Sequence, residues 1–279
     1  MLIVGAGNQG ALADAPGSGN EHKVISFAHA FSERNASVFF CDSDTKKSVI
    51  AANIWSCSTA VRDIKLAFER NNFDIVVVTT PDESHYEILL ELLLYKPSLV
   101  ICEKPLCDDC VSATRIVEAY KAVNVPLLIN YTRRFVPELI QLKQNYKAGM
   151  YGRLLYADVM FNRGIYHTGT HALDFMEWLR EGDAEIEDNK TTFFFKYVHD
   201  LKYRVWSLHL FFEKFHWSEQ RIFNDPVPSY LDYGTRYVVD NAINFLEGKE
   251  ELRCTGSDAL KSLRIAESMM EEEEDRNGL

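Results

Sequence analysis

Long apolar runs are missing from this sequence. None of its 279 residues falls in a stretch approaching the roughly 20 consecutive apolar residues that span a bilayer, so no membrane-spanning helix is expected. Basic residues are in deficit, 30 Lys and Arg against 41 Asp and Glu, for a formal net charge of -11. A phosphate-binding surface would be a local exception to that field, and nucleic-acid binding is disfavoured. The acidic excess includes the run Glu271 to Asp275, read as the solvated end of a helix. Cysteine is sparse: Cys41, Cys57, Cys102, Cys107, Cys110 and Cys254 are scattered as reduced thiols are. Cys107 and Cys110 form a Cys-x-x-Cys without a second Cys or His pair at zinc-ligand spacing, so no metal is expected. The chain opens on a strand-like run with no basic leader before it, and a cytoplasmic location is the expectation.

What is present is a core large enough for two domains, 47% of residues being hydrophobic. The first half alternates short apolar runs with amphipathic stretches, the pattern of a doubly wound parallel sheet. Expected strands are Leu2 to Val4, Ser37 to Cys41, Ile75 to Thr79, Leu99 to Ile101 and Leu127 to Ile129. Helices are expected at Lys23 to Glu33, Thr45 to Ala52, Val61 to Arg70, His85 to Tyr95 and Val111 to Ala122. Gly5, Asp42, Thr80, Glu103 and Asn130 then all follow strands at one sheet edge, where ligands of such sheets bind. Beyond Thr132 the runs become longer, aromatic and alternating (Leu154 to Phe161, Thr191 to Val198, Tyr203 to Phe212), as in an antiparallel sheet, with helices at His171 to Arg180, Leu231 to Leu246 and Asp258 to Met270. The division expected is 1–131 for a Rossmann dinucleotide-binding domain and 132–279 for an α/β domain with an open, mainly antiparallel sheet that binds substrate and supports oligomerisation.

The first strand runs into Gly5-Ala6-Gly7-Asn8-Gln9-Gly10, the Gly-x-Gly-x-x-Gly spacing of a dinucleotide-binding turn. Gly5 permits the bend, Gly7 lets backbone approach a pyrophosphate, and Gly10 permits close packing. A loop-like segment, Ala11 to Asn20, follows, with a helix expected only beyond it. It explains why 32 residues separate Gly10 from Asp42 rather than the usual interval of about 20. Asp42 would accept hydrogen bonds from ribose hydroxyls and repel a 2'-phosphate, favouring NAD; Lys46 and Lys47 nearby keep NADP as the alternative.

Lys104, just past a buried strand, suits a proton donor or acceptor at a substrate oxygen or a fixed charge beside a developing alkoxide. The competing reading is a surface lysine paired with Glu103, itself a candidate for a ribose hydroxyl. His171 and Asp174, three apart, would share a helix face, with Thr170 as cap and the carboxylate orienting the imidazole. The alternative is a core or cap histidine. A metal held by His167, His171 and Asp174 lacks the His-Glu-x-x-His pattern. Arg133 and Arg134 could hold an anionic diphosphate bidentately, or form a solvated basic turn.

Together, Gly5-x-Gly-x-x-Gly10, Thr80-Pro81-Asp82-Glu83-Ser84-His85, Glu103-Lys104-Pro105, Asn130-Tyr131-Thr132-Arg133-Arg134 and Gly169-Thr170-His171-Ala172-Leu173-Asp174 resemble, in order, the Gfo/Idh/MocA oxidoreductases. The resemblance implies NAD(P)-dependent hydride transfer at a secondary hydroxyl or ketone of a sugar, cyclitol or nucleotide-sugar, in a homodimer or homotetramer. By matching position, Lys104 and His171 would be catalytic, with His167 and Asp174 in the relay. Thr79, Thr80, Pro81, His85, Glu103 and Asn130 would join the glycine turn in holding the cofactor. Tyr131, Arg133 and Arg134 would join Lys104, His167 and His171 around the substrate. His167 stands where many members carry aspartate, and residues 132–279 are short for the family. The motif set is most similar to the branch associated with surface-polysaccharide biosynthesis. The rival reading is a catalytically inactive nucleotide-binding sensor or assembly protein of the same fold.

Overall fold

The computed structural model describes residues 1–57, 59–181, 191–198, 202, 205–222 and 229–277. Its contacts divide the chain into two units, Met1–Val136 with Ser229–Leu260, and Pro137–Pro228 with Lys261–Leu279.

In the first unit, six short runs form one parallel sheet: β1 (Leu2–Val4), β2 (Phe39–Cys41), β3 (Ala60–Val61), β4 (Ile75–Val78), β5 (Leu99–Cys102) and β6 (Leu127–Ile129), in the order β3-β2-β1-β4-β5-β6. Every residue of β1, β4, β5 and β6 is buried. Strands enclosed on both faces have no place for polar residues, hence the uninterrupted apolar runs. Val4 pairs with Cys41 and Val78, Val78 with Cys102, and Cys102 with Ile129. That register brings Gly5, Asp42, Thr79, Glu103 and Asn130 to one edge, and the strand order reverses between β1 and β4.

Helices α2 (Thr45–Ile54), α3 (Ile64–Arg70) and α5 (Cys110–Val123) begin on aspartates: Asp44 accepts from the Lys46 amide, Asp63 from Leu66 and Asp109 from Ser112, at 2.7–3.0 Å. The cap at Asp63 corrects the expectation of a helix from Val61, because Ala60 and Val61 belong to the edge strand β3. Helix α4 (His85–Leu92) follows β4.

The first helix differs most from expectation. A five-residue π-helical turn, Asn8–Leu12, starts directly on Gly7, and a second piece, α1 (Phe27–Ser32), begins only after the inserted loop. Asp14, 1% exposed, ties the break together. Its carboxylate accepts from the Ile25 amide (2.5 Å), the Ser26 amide (3.0 Å) and the Ser26 hydroxyl (2.5 Å), and lies 3.1 Å from His29 Nδ1.

Residues 229–260 return to this unit, which corrects the expected boundary at 131/132. The Val24 amide donates to the Asp232 carbonyl at 2.7 Å, and the Thr235 hydroxyl, in α8 (Gly234–Leu246), to the Ile25 carbonyl at 2.6 Å. Thr255, just before α9 (Gly256–Asn277), bridges to Leu128 of β6.

The second unit holds α6 (Pro137–Lys147), α7 (Thr170–Arg180) and a mixed sheet of β7 (Leu154–Phe161), β8 (Thr192–Tyr197), β9 (Val205–Phe212) and β10 (His216–Ile222), ordered β10-β9-β7-β8. Pairing is antiparallel except between β7 and β8. Tyr203, with which a strand was expected to begin, lies outside the described residues. Phe175 of α7 packs on Trp217 of β10, ring centroids 5.7 Å apart. Tyr156 meets Phe194 and Phe211 at 5.1 and 5.4 Å, and both phenylalanines are exposed. Among the described residues no helix is long and apolar enough to cross a membrane.

Candidate functional site

The site is built on the carboxyl edge of the first sheet. Gly5 has φ +99°, and a Cβ there would sit 2.8 Å from the Thr79 carbonyl carbon and oxygen, so only glycine fits where β1 turns away beside β4. A Cβ at Gly10 would overlap the Gly5 carbonyl. The Thr79 hydroxyl, 2.7 Å from that same carbonyl, braces the turn from inside. Gly7 is the opposite case: a Cβ there would meet nothing within 4 Å. The turn is thus closed against the sheet and open at Gly7, where the first amides of a helical turn have no carbonyl behind them. Asn8 is exposed, whereas Gln9 donates to the Ile25 carbonyl at 3.2 Å and holds the inserted loop.

Asp42 accepts the Ala6 amide at 2.8 Å and the Asp44 amide at 2.9 Å, one on each carboxylate oxygen. A carboxylate has about four lone-pair sites, so this pinned group can still accept from ribose hydroxyls.

Beyond β5 the Glu103 amide donates to the Val78 carbonyl and the Asn130 amide to the Cys102 carbonyl, each at 2.9 Å. These bonds extend the sheet one step and set the two side chains together. Asn130 Nδ2 donates to Glu103 Oε1 at 2.6 Å, and the Thr132 hydroxyl donates to Asn130 Oδ1 at 2.9 Å. Burial pushes the Glu103 carboxyl up to about 7, against the opposing pull of the Asn130 bond and the Lys104 charge. Lys104 is half-buried, and its peptide bond to Pro105 is cis. Thr132 was not singled out by the sequence; its place two residues past a strand-end asparagine is the signal that could have found it.

Other expected site residues are placed differently. His85 is fully buried, its Nδ1 lying 2.8 Å from the Pro105 carbonyl and its Nε2 3.1 Å from the Thr80 carbonyl, so its ring faces backbone rather than a cofactor surface. Thr80 accepts the Ser84 hydroxyl at 2.8 Å, and Pro81 is exposed. Tyr131, Arg133 and Arg134 are 2%, 6% and 3% exposed, which corrects the solvated basic turn. Arg134 is committed inward, 3.3 Å from the Arg253 carbonyl and 3.8 Å from Asp258.

In the second unit a π-helical turn, Ile165–Gly169, leads straight into α7. Thr170 therefore does not cap a helix start: its hydroxyl donates back to the Tyr166 carbonyl at 2.7 Å. A Cβ at Gly169 would come within 2.9 Å of the Ile165 and Phe161 side chains, which would have to shift to admit it. His167 and His171 are half-buried, and His171 sets its ring edge-on to Trp206 at 6.3 Å. Asp174, three residues on and 1% exposed, accepts the Ser262 hydroxyl at 3.3 Å. The six cysteines are thiols, and burial holds Cys41 and Cys107 up at about 12, as inert ones.

Residues 1–131 match the family model for the Gfo/Idh/MocA oxidoreductase family, NAD-binding Rossmann fold. Over those residues, the chain is similar to that family. Among curated relatives, "Inositol 2-dehydrogenase 4" of Saccharopolyspora erythraea is 32% identical over 141 residues, 46% of this chain and 41% of that protein. The chain thus spans less than half the length of the curated relatives it matches. The fold is shared with the WlbA dehydrogenase from Bordetella pertussis, solved with NADH and UDP-GlcNAcA (TM-score 0.74, 17% identity, 100% of this chain and 95% of that one). An oxidoreductase from Agrobacterium radiobacter, solved with NAD+, L-tartaric acid and magnesium, is also similar (TM-score 0.70, 16% identity, 95% and 93% covered). The family's cofactor, NAD, fits the residues present: a turn open at Gly7, a pinned acid at Asp42 and a carboxyl-amide pair at Glu103 and Asn130, all on one edge.

Proposed function

We propose that the protein is an NAD-dependent oxidoreductase moving a hydride between nicotinamide and a secondary hydroxyl or ketone of a sugar, cyclitol or nucleotide-sugar. The observation that supports this best is the placing of Lys104, half-buried beside the Glu103–Asn130 pair on the edge that carries the glycine turn. Nicotinamide, when bound, supplies the hydride acceptor or donor. Gly5, Gly7, Asn8 and Gly10 would hold the pyrophosphate, Asp42 a ribose, and Glu103 with Asn130 the polar groups of the nicotinamide half. Lys104 would stabilise charge growing on the substrate oxygen or move the proton there. His171, with Asp174 orienting it and His167 one turn before, is the second proton-handling group by the motif resemblance. The inositol and UDP-GlcNAcA names among the relatives support the substrate class. The exposed Phe194 and Phe211 support a homo-oligomer, and the thiols a cytoplasmic location.

The test is a fluorescence titration with NADH and NADPH, then turnover on a panel of cyclitols and nucleotide-sugars. NADH preference is expected, and Lys104→Ala is expected to lose about 10²–10⁴ in turnover with NADH affinity retained. Tighter NADPH binding would overturn the Asp42 argument. Cofactor binding without turnover across the panel would favour the inactive sensor or assembly protein.

A further inference from the structure

His85 is a buried titratable group that the reaction outlined above does not use, and its surroundings are unusual. Both ring nitrogens lie at hydrogen-bond distance from backbone carbonyl oxygens, Pro105 on one side and Thr80 on the other. A carbonyl oxygen only accepts, so the ring N–H donates to one of them while the ring as a whole fits between the two. The two carbonyls belong to separate loops. Thr80 follows β4 and leads into the short 3-10 turn Asp82–Ser84, whereas Pro105 follows β5 directly after Lys104. At that edge the Glu103 amide donates to the Val78 carbonyl, and the chain past Glu103 leaves the sheet.

We propose that His85 is a positioning residue, an imidazole clasp that fastens the loop carrying Lys104 to the loop after β4 and so fixes where the Lys104 ammonium stands. This rests on the reading of Lys104 as the reacting group, and deepens it. The ring is rigid, fully buried and placed at the first position of α4, so the helix end delivers it between the loops without a flexible tether. A side chain that must hold a charge within a fraction of an ångström needs such support from behind. The acidic neighbours Asp82, Glu83 and Asp108 share this corner, and burial together with the Asp82 and Glu83 charges holds the Asp108 carboxyl above its ordinary range, partly offset by His85.

Two substitutions separate the clasp from mere packing. His85→Phe keeps a ring and removes the N–H donor; His85→Gln keeps an amide that donates from one nitrogen. Lys104 reactivity is read in the full-length protein as its rate of acetylation by a brief pulse of acetic anhydride, with Lys46 and Lys47 on α2 as internal standards. Lys104 in His85→Phe is expected to change its relative rate by about threefold or more, and turnover to fall at least about tenfold, since a 1 Å misplacement can cost 10²-fold. His85→Gln should restore most of both, and NADH affinity should hold in each variant. If Lys104 in His85→Phe labels and turns over like the wild type, the clasp is wrong. Because either variant could fail to fold, a measurement on the wild-type protein stands beside them: by NMR on nitrogen-labelled histidine, a His85 ring proton should be protected from solvent exchange. Exchange as fast as at exposed His216 would overturn the proposal. Should Lys104→Ala retain turnover, the reading of Lys104 fails, while the labelling and exchange results still report on the clasp.

Discussion

Asp14 in the inserted loop and Glu103 at the sheet edge are both acids enclosed by protein, yet they are served very differently. Asp14 is met by two amides, a hydroxyl and an imidazole, so nearly every lone pair it brought out of water is matched. Glu103 is met by the Asn130 amide and the Lys104 backbone, and its carboxyl is pushed up to about 7. Donor supply separates a carboxylate that holds a loop from one whose carboxyl burial pushes up. The saturated acid holds the inserted loop to α1. The undersupplied one stands next to the candidate reacting lysine.

The comparison can be broken at three points. Asp14→Ala should have the largest effect, about 3 kcal/mol lost in urea denaturation, because two amides and a hydroxyl are left without their acceptor. A loss near zero would show that the insert is held by its other bonds. Glu103→Gln should act through pH. With the folded-state value raised from 4.5 to about 7, the folded protein keeps a proton that the unfolded chain has released. Its contribution to stability is therefore full below about 4.5 and declines as pH rises through about 7. The variant should lack that decline, so its melting temperature relative to wild type should climb across the window and then level off. A constant difference would mean that Glu103 titrates normally. Thr132→Val is the smallest and sharpest: it keeps the shape, removes the hydroxyl behind Asn130 and should cost no more than about 1 kcal/mol. It should also shift the Glu103 transition slightly upward in the same pH series, and an unmoved transition would end the hydrogen-bonded chain at Asn130.

Much of the first unit was legible because enclosed parallel strands must be apolar throughout, and the residues ending such runs must then share an edge. Gly5, Asp42, Glu103 and Asn130 could be found that way. The split first helix could not, since Asp14 finds its partners 11 to 15 residues onward, across a segment with no periodicity. Arg134 could be read as a diphosphate ligand or as part of a solvated turn until the carbonyl of Arg253, 119 residues beyond it, is known to lie beside it. In the second unit α6 and β10 escaped notice for a different reason. Helix α6 buries only Leu139 and Leu142, and β10 carries Ser218, Glu219 and Gln220 in succession, so neither shows a strong apolar period. Thr170 looked like a cap because a π-helical turn leaves no sequence signature.

The return of residues 229–260 to the first unit means that the boundary drawn by family resemblance at residue 131 is not a place to cut. A fragment ending there would lose the Asp232 carbonyl that receives Val24, the Ile25 contact from Thr235 and the Thr255 bridge beside β6. Grafting this nucleotide-binding half onto another substrate-binding half is therefore a two-segment operation, and a recombination event with a single crossover would deliver an incomplete core.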